Sequence, residues 1–194
     1  MYLPKDYYSS NKQYPVIVFL HGNSQKGNPD PDVLTQIGVP EYALTNGDFP
    51  FIVIAPLLTD EVSNWNVNDL NNMLNEASSK FRLDPNRINL SGFSIGGTAA
   101  WTWAATNPNR FSSLTAIGCY ADENACNVKS IPVWEFHNRY DTIYQLAVIQ
   151  KSIDDFTACG GKAKFTIYDD GGHEGWTKAY NDPNLYAWLV AQSK

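Results

Sequence analysis

Residues 89–97 read Asn89-Leu90-Ser91-Gly92-Phe93-Ser94-Ile95-Gly96-Gly97. A short apolar run, Arg87–Leu90, leads into this stretch, and an Ala- and Trp-rich segment, Ile95–Thr106, leaves it. The first has the composition of a strand and the second that of a helix, so Ser94 and the glycines around it, Gly92, Gly96 and Gly97, occupy a strand-to-helix turn. Glycines let a chain reverse that sharply, because a Cβ would clash or force an unfavourable φ. A serine held among them, with a helix N-terminus behind it, has its hydroxyl exposed beside unpaired amide groups.

Working outward, the same alternation recurs. Strands are expected at Val16–Leu20, Phe51–Ala55, Arg87–Leu90, Leu114–Gly118, Val133–His137 and Lys164–Tyr168. The first two are almost uninterrupted apolar runs, as strands covered on both faces require. Between them, Val67, Leu70, Met73, Leu74, Ala77 and Phe81 form one helical stripe, and Ile143, Leu146, Ile149, Ile153 and Phe156 another, closed by Gly160-Gly161. A last helix should start at Asp182-Pro183, an N-cap followed by proline at the first helical position, and run through Leu185, Trp188 and Leu189. Strands alternating with helices imply an α/β fold, a doubly wound and mostly parallel sheet of about six strands, in one domain over residues 1–194. No connection is long enough for a separate lid, so a site at the sheet's carboxyl end should be open.

Composition narrows the function classes. The net charge is −6 with no basic cluster, which argues against nucleic acid as a partner. No apolar run approaches the roughly 20 residues needed to cross a bilayer. The start, Met1 to Pro15, lacks the basic and apolar regions of a signal peptide, so a cytoplasmic protein and a mature exported form both fit. Cys119, Cys126 and Cys159 show no metal-ligand spacing, and no metal or cofactor is expected. Reduced thiols are the default expectation, with a Cys119–Cys126 bridge across a short loop as the alternative.

Gly92-x-Ser94-x-Gly96 in that context marks Ser94 as a candidate nucleophile, which needs a base and an orienting acid. Of three histidines, His21 ends the first strand in a turn read as structural, and His137 ends the strand Val133–His137, where a packing role is expected. His173 lies in a glycine-rich loop, Gly171-Gly172-His173-Glu174-Gly175, after the last strand and is the favoured base. The order serine, acid, histidine then selects Asp141, just past the Val133–His137 strand, although Asp141 could simply cap the next helix. Asp122 and Glu123 are the reserve acids. Glu135 should point at a face of the sheet, and Asp169 and Asp170 lie too near His173 in sequence to orient it. The backbone N–H groups of Ile95 and of a residue on the loop after the first strand, Gly22 or the favoured Asn23, are the expected oxyanion donors.

Four stretches extend the argument: Tyr2 to Asn28, Asp84 to Gly97, Ile131 to Asp141 and Gly171 to Leu189. Together they resemble, in order and over nearly the whole length, the α/β-hydrolases of the esterase group that includes feruloyl and acetylxylan esterases, polyhydroxybutyrate depolymerase-like proteins and dienelactone-hydrolase-like peptidases. The resemblance implies ester hydrolysis through an acyl-enzyme, with Ser94 attacking, His173 moving the proton and Asp141 orienting the imidazole. It also implies small-molecule or carbohydrate-linked esters, with acetyl and feruloyl groups among them. Family members often carry Gly where Asn138 stands, and usually have strands before the segment starting at Tyr2, so a smaller sheet is expected here. Trp65 and Trp176 are candidate platforms for substrate, each equally readable as a loop fastener; of Trp101 and Trp103, two apart on one helix, at least one should pack on the sheet. The competing functions are a serine peptidase or acyl transferase with the same three residues, and a non-catalytic binding module.

Overall fold

A computed structural model describes residues 1–194. Its centre is a six-stranded, wholly parallel sheet in the order β2-β1-β3-β4-β5-β6. The strands are β1 (Tyr14–Leu20), β2 (Ile52–Ile54), β3 (Leu83–Phe93), β4 (Ser113–Ile117), β5 (Val133–Asn138) and β6 (Ala163–Tyr168). The helices are α1 (Gly38–Thr45), α2 (Val67–Lys80), α3 (Ile95–Thr106), α4 (Leu146–Ala158), α5 (Trp176–Tyr180) and α6 (Pro183–Val190). Every residue of β1 is buried, as its uninterrupted apolar composition requires.

Side-chain alternation along the strands divides the core. Val16, Val18 and Leu20 face one layer, built from α2, α3 and α4 through Leu74, Ala100 and Ile149. Ile17 and Phe19 face the other, built from α1, α5 and α6 through Val39, Tyr180 and Leu189. The sheet is thus wound on both sides. Trp101 and Trp103 are both fully buried, and their indole N–H groups go separate ways, to Glu135 (3.3 Å) and to Asn71 (2.8 Å).

Helix ends follow local chemistry. Asn66 caps α2 by accepting from the N–H groups of Asn68 and Asp69, and Asp182 caps α6 ahead of Pro183. Helix α4 starts three residues later than the apolar spacing predicts. The Asp141 carboxylate takes the N–H groups of Ile143 and Tyr144, which turns the chain there and leaves Ile143 exposed. Helix α1 is not among the helices expected from the sequence; it contains Gly38 and Pro40, and proline is tolerated there since a first-turn N–H has no intrahelical partner. The outer edge of β2 is partly covered, Tyr2 pairing antiparallel with Val53.

The cysteines correct the sequence expectation of reduced thiols or a Cys119–Cys126 bridge. Cys126 pairs with Cys159, with Cα atoms 5.9 Å apart, while Cys119 is free and buried. Cys119 cannot reach a partner because its side chain packs inward against Gly97 and Glu135. Cys126 lies on a short helical turn after β4 and Cys159 ends α4, so the bridge closes a loop across 33 positions that only the folded chain brings together. Closing a loop of that size stabilises by roughly 3–4 kcal/mol in the chain-entropy account. Replacing Cys126 and Cys159 with serine is expected to lower the thermal midpoint by about 6–16 °C, measured by calorimetry; an unchanged midpoint would contradict a bridge formed in solution.

Candidate active site

The turn between β3 and α3 is the most constrained point of the backbone. Ser94 has φ 55° and ψ −127°, and no other non-glycine residue has a positive φ. A left-handed conformation of this kind costs on the order of 1–3 kcal/mol and persists only where surrounding packing imposes it. The packing is explicit. A Cβ on Gly92 would meet the Gly96 carbonyl oxygen at 2.3 Å, and one on Gly96 would meet the Leu20 carbonyl oxygen at 2.2 Å. The Ser94 N–H is anchored on the Ile117 carbonyl, at 2.9 Å, so the end of β4 holds the turn in place.

His173, on the loop after β6, meets this serine. Ser94 Oγ lies 2.9 Å from His173 Nε2, and His173 Nδ1 lies 2.7 Å from Asp141 Oδ2. With Nδ1–H donating to the carboxylate, Nε2 is free to accept the serine hydroxyl proton. The Asp141 side chain is 1% exposed and His173 is 12% exposed, so the chain of hydrogen bonds runs from buried acid to accessible base. Asp141 also plays the local part that its sequence position allows. Its Oδ1 accepts from Ile143 and Tyr144 N–H at 2.8 and 2.9 Å, leaving Oδ2 aimed at the imidazole.

The two expected backbone donors lie at helical starts. Ile95 is the first residue of α3, and Asn23 is the first of a short helical turn, Asn23–Gln25, after β1. Neither N–H has a protein acceptor, as the first donors of a helical turn lack one within it. His21 fixes the Asn23 loop. Its Nδ1–H donates to the Gly22 carbonyl at 2.7 Å, and its Nε2 accepts from Leu58 N–H at 2.9 Å.

His137 is buried at the end of β5 and donates from Nε2 to the Tyr144 carbonyl at 2.7 Å. It approaches Asp141 Oδ2 to 3.8 Å and does not touch Ser94's hydrogen-bond chain otherwise. Glu135 points into the layer of α3, where it meets Trp101 and Cys119. Asp122 is engaged by Thr102 and Asn124, and Glu123 is exposed. Asp169 and Asp170 pair with Arg139 and Lys178. Trp176 meets His173 edge-on at 5.3 Å and lies over Phe93 at 4.6 Å. Trp65 packs edge-on against His21 at 4.9 Å and lines a cavity of about 260 Å³ with Leu57, Leu58 and Met73. No group of three or more His, Cys, Asp or Glu side chains is arranged to hold a metal ion.

Two features have no counterpart in the sequence reading. Asn138 joins the segments that carry Asp141 and His173: its backbone carbonyl accepts from Asp141 N–H at 3.2 Å, and its side-chain Nδ2 donates to the Gly172 carbonyl beside His173. Gly175 is required opposite it, since a Cβ there would lie 2.7 Å from Asn138 Oδ1. Tyr144 stacks on the His173 ring with centroids 5.4 Å apart, and Tyr120 leans on Tyr144 at 4.6 Å. The aromatic residues stand in plain sight in the sequence, but nothing in their spacing marks them as neighbours of His173.

Burial pushes the imidazoles of His21 and His137 below the usual 6.5 and the Glu135 carboxyl well above the usual 4.5. The signs oppose. The unfolded chain protonates its histidines below about pH 6.5 while the folded chain resists, so their contribution is complete above that pH and is lost as pH falls. Glu135 keeps its proton when folded but loses it when unfolded above about pH 4.5, so its contribution is lost as pH rises. Glu135→Gln is therefore expected to gain stability relative to the native chain as pH goes from 5 to 8. In the variant, the urea midpoint should fall from pH 7 to 5. Urea titrations of both proteins across that range check the two signs separately.

Comparison with known proteins supplies the family. Residues 59–183 match the phospholipase/carboxylesterase model. No curated protein sequence matches the chain. Among solved structures, a thermostable esterase superposes with a TM-score of 0.84 at 24% identity, over 100% of this chain and 58% of that one. A ferulic acid esterase gives 0.70 at 18% identity, over 96% and 88%. The uncomplexed acylaminoacyl peptidase of Pyrococcus horikoshii gives 0.65 at 17% identity, over 87% and 36%. These likenesses establish the doubly wound α/β-hydrolase fold, with this chain spanning little more than half of the thermostable esterase. With the family model covering most of its length, the chain belongs to the phospholipase/carboxylesterase family of α/β-hydrolases.

Proposed function

We propose that the protein is a serine carboxylesterase in which Ser94, His173 and Asp141 form the catalytic triad, within one catalytic domain over residues 1–194. The observation that carries this reading is the unbroken hydrogen-bond path Asp141–His173–Ser94, at 2.7 and 2.9 Å, ending on the one strained non-glycine residue of the chain. Strain at a single serine is otherwise hard to account for, since glycine would relieve it.

The steps follow from these positions. Ser94 Oγ attacks the acyl carbonyl carbon while His173 Nε2 takes its proton. Asp141 holds the imidazole tautomer and stabilises the imidazolium that forms. The carbonyl oxygen, now negative, lies toward the free N–H groups of Ile95 and Asn23, one such donor being worth about 3 kcal/mol in related chemistry. His173 then protonates the departing alcohol, leaving an acyl-serine. Water, deprotonated by the same nitrogen, attacks that ester, and His173 returns the proton to Ser94 Oγ as the acyl–oxygen bond breaks and the acid leaves. None of these steps calls on a metal or an organic cofactor.

Short or exposed acyl groups suit a site served only by short connections, and the ferulic acid esterase likeness favours aryl-acyl esters among them. A peptidase using the same residues is the second reading, favoured by the likeness to the acylaminoacyl peptidase, and amide turnover exceeding ester turnover would select it.

A small fluorophosphonate should add once to the native chain and not to Ser94→Ala, read by intact mass. Ser94→Ala should lower kcat/KM for p-nitrophenyl acetate by at least about 10³-fold, and Asp141→Asn by about 10⁴-fold through loss of the working tautomer. An adduct on the Ser94→Ala chain would overturn Ser94 as the nucleophile, and no adduct on the folded native chain would overturn the triad and bring the binding-module reading forward.

A further inference from the structure

We propose that Tyr120 and Tyr144 form the subsite for the alcohol half of the ester, and that the subsite takes a six-membered ring face-on, a planar aryl ring or the C–H face of a pyranose chair. This rests on the reading of Ser94 and His173 as the acyl-transfer pair.

The sheet order separates the two halves of the substrate. Strand β3, which carries Ser94, lies between β1 and β4. The Asn23 loop follows β1, so the carbonyl oxygen is drawn to that side. Tyr120 and Tyr144 follow β4 and β5 and lie on the other side, with His173. The nitrogen that protonates the leaving oxygen must be within reach of it, so the alcohol half sits against whatever flanks His173.

Two groups flank that imidazole. Trp176 meets it edge-on, with an interplanar angle of 82°, and is occupied by Phe93 on its own face. Tyr144 lies nearly parallel to it, at 19°, and Tyr120 leans on Tyr144 at 60°. Tyr120 is 38% exposed and Tyr144 half-buried, so the pair offers aromatic surface to solvent next to the leaving-group position. Tyr144 also packs on the core layer of α3 and α4, so Tyr120 supplies the exposed part of the platform.

The pair is also fixed in advance. Tyr144 N–H donates to Asp141 Oδ1 at 2.9 Å, and its carbonyl accepts from His137 at 2.7 Å. Tyr120 follows Gly118, which has φ 57° and is held by an N–H bond to the Phe136 carbonyl, and Cys119, which is wholly buried. A platform that needs no ordering on binding retains more of its stacking energy for the ligand. Ring-on-ring contact of this kind corresponds to about three- to tenfold in kcat/KM.

The test compares Tyr120→Ala with the native chain on three acetyl esters that share one acyl group: ethyl acetate, phenyl acetate and a mono-acetylated methyl pyranoside. Expected is a three- to tenfold loss of kcat/KM on one or both ring-bearing esters, with ethyl acetate unchanged within twofold. Loss on the phenyl ester alone assigns an aryl alcohol, and loss on the pyranoside alone assigns a sugar. Tyr120→Phe should restore the rate. The deacylation rate should not change, because the alcohol has already left, and neither should fluorophosphonate labelling of Ser94. Equal loss on all three esters, or no loss on any, overturns the subsite. If the native chain shows no Ser94-dependent hydrolysis even of ethyl and phenyl acetate, the triad reading fails and takes the subsite with it, an outcome separable from the others by the Ser94→Ala control.

Discussion

Gly96 packs its Cα directly against the carbonyl oxygens of Leu20 and His21, where a Cβ would lie 2.2 and 2.5 Å from them. The first turn of α3 is thereby forced onto the end of β1. That contact brings the free N–H of Ile95 close to the loop that carries the free N–H of Asn23. It also leaves Ser94 no relaxed conformation, because the chain must leave β3 and enter α3 within one residue. The strain at φ 55° is maintained by a sheet whose neighbouring strands, β1 and β4, are buried and bonded on both sides.

The three histidines show how one side chain serves three ends by environment alone. His21 and His137 are fully buried, hydrogen-bonded to backbone groups, and held neutral by desolvation. They brace the Asn23 loop and the Asp141 turn. His173, by contrast, sits on a loop of glycines with its ring partly exposed, one nitrogen on Asp141 and the other on Ser94. The proton transfer proposed for His173 needs that access, and the two buried rings lack it.

Asn138 departs from the glycine that the resembling esterases often carry at that position, and the structure shows the local consequence. Its backbone carbonyl closes the Asp141 turn while its side-chain Nδ2 holds the Gly172 carbonyl, and its side chain lies where a Cβ at position 175 would come within 2.7 Å of Oδ1. One residue, through its backbone and its side chain, therefore ties the segment that carries Asp141 to the loop that carries His173. The Cys126–Cys159 bridge fastens the same region from the far end of α4.

What the sequence determined by itself is the periodic and local part: six strands from short β-type runs, four of the helices from apolar spacing or caps, and the glycine–serine turn from its composition. Those signals survive in one dimension because they rest on neighbours within a few residues. Asp141 and His173 could be chosen from chain order and loop chemistry, since each stands at the carboxyl end of a strand in a parallel sheet. The partner of Cys126 could not be read, because 33 positions separate it from Cys159 and only the docking of α4 brings them within 5.9 Å. Nor could the Asn138 strut or the Tyr120–Tyr144 pair against His173. Each depends on which strands lie side by side and where their loops end, and strand order is set by packing of both helical layers on the sheet, a property of the whole chain rather than of any segment.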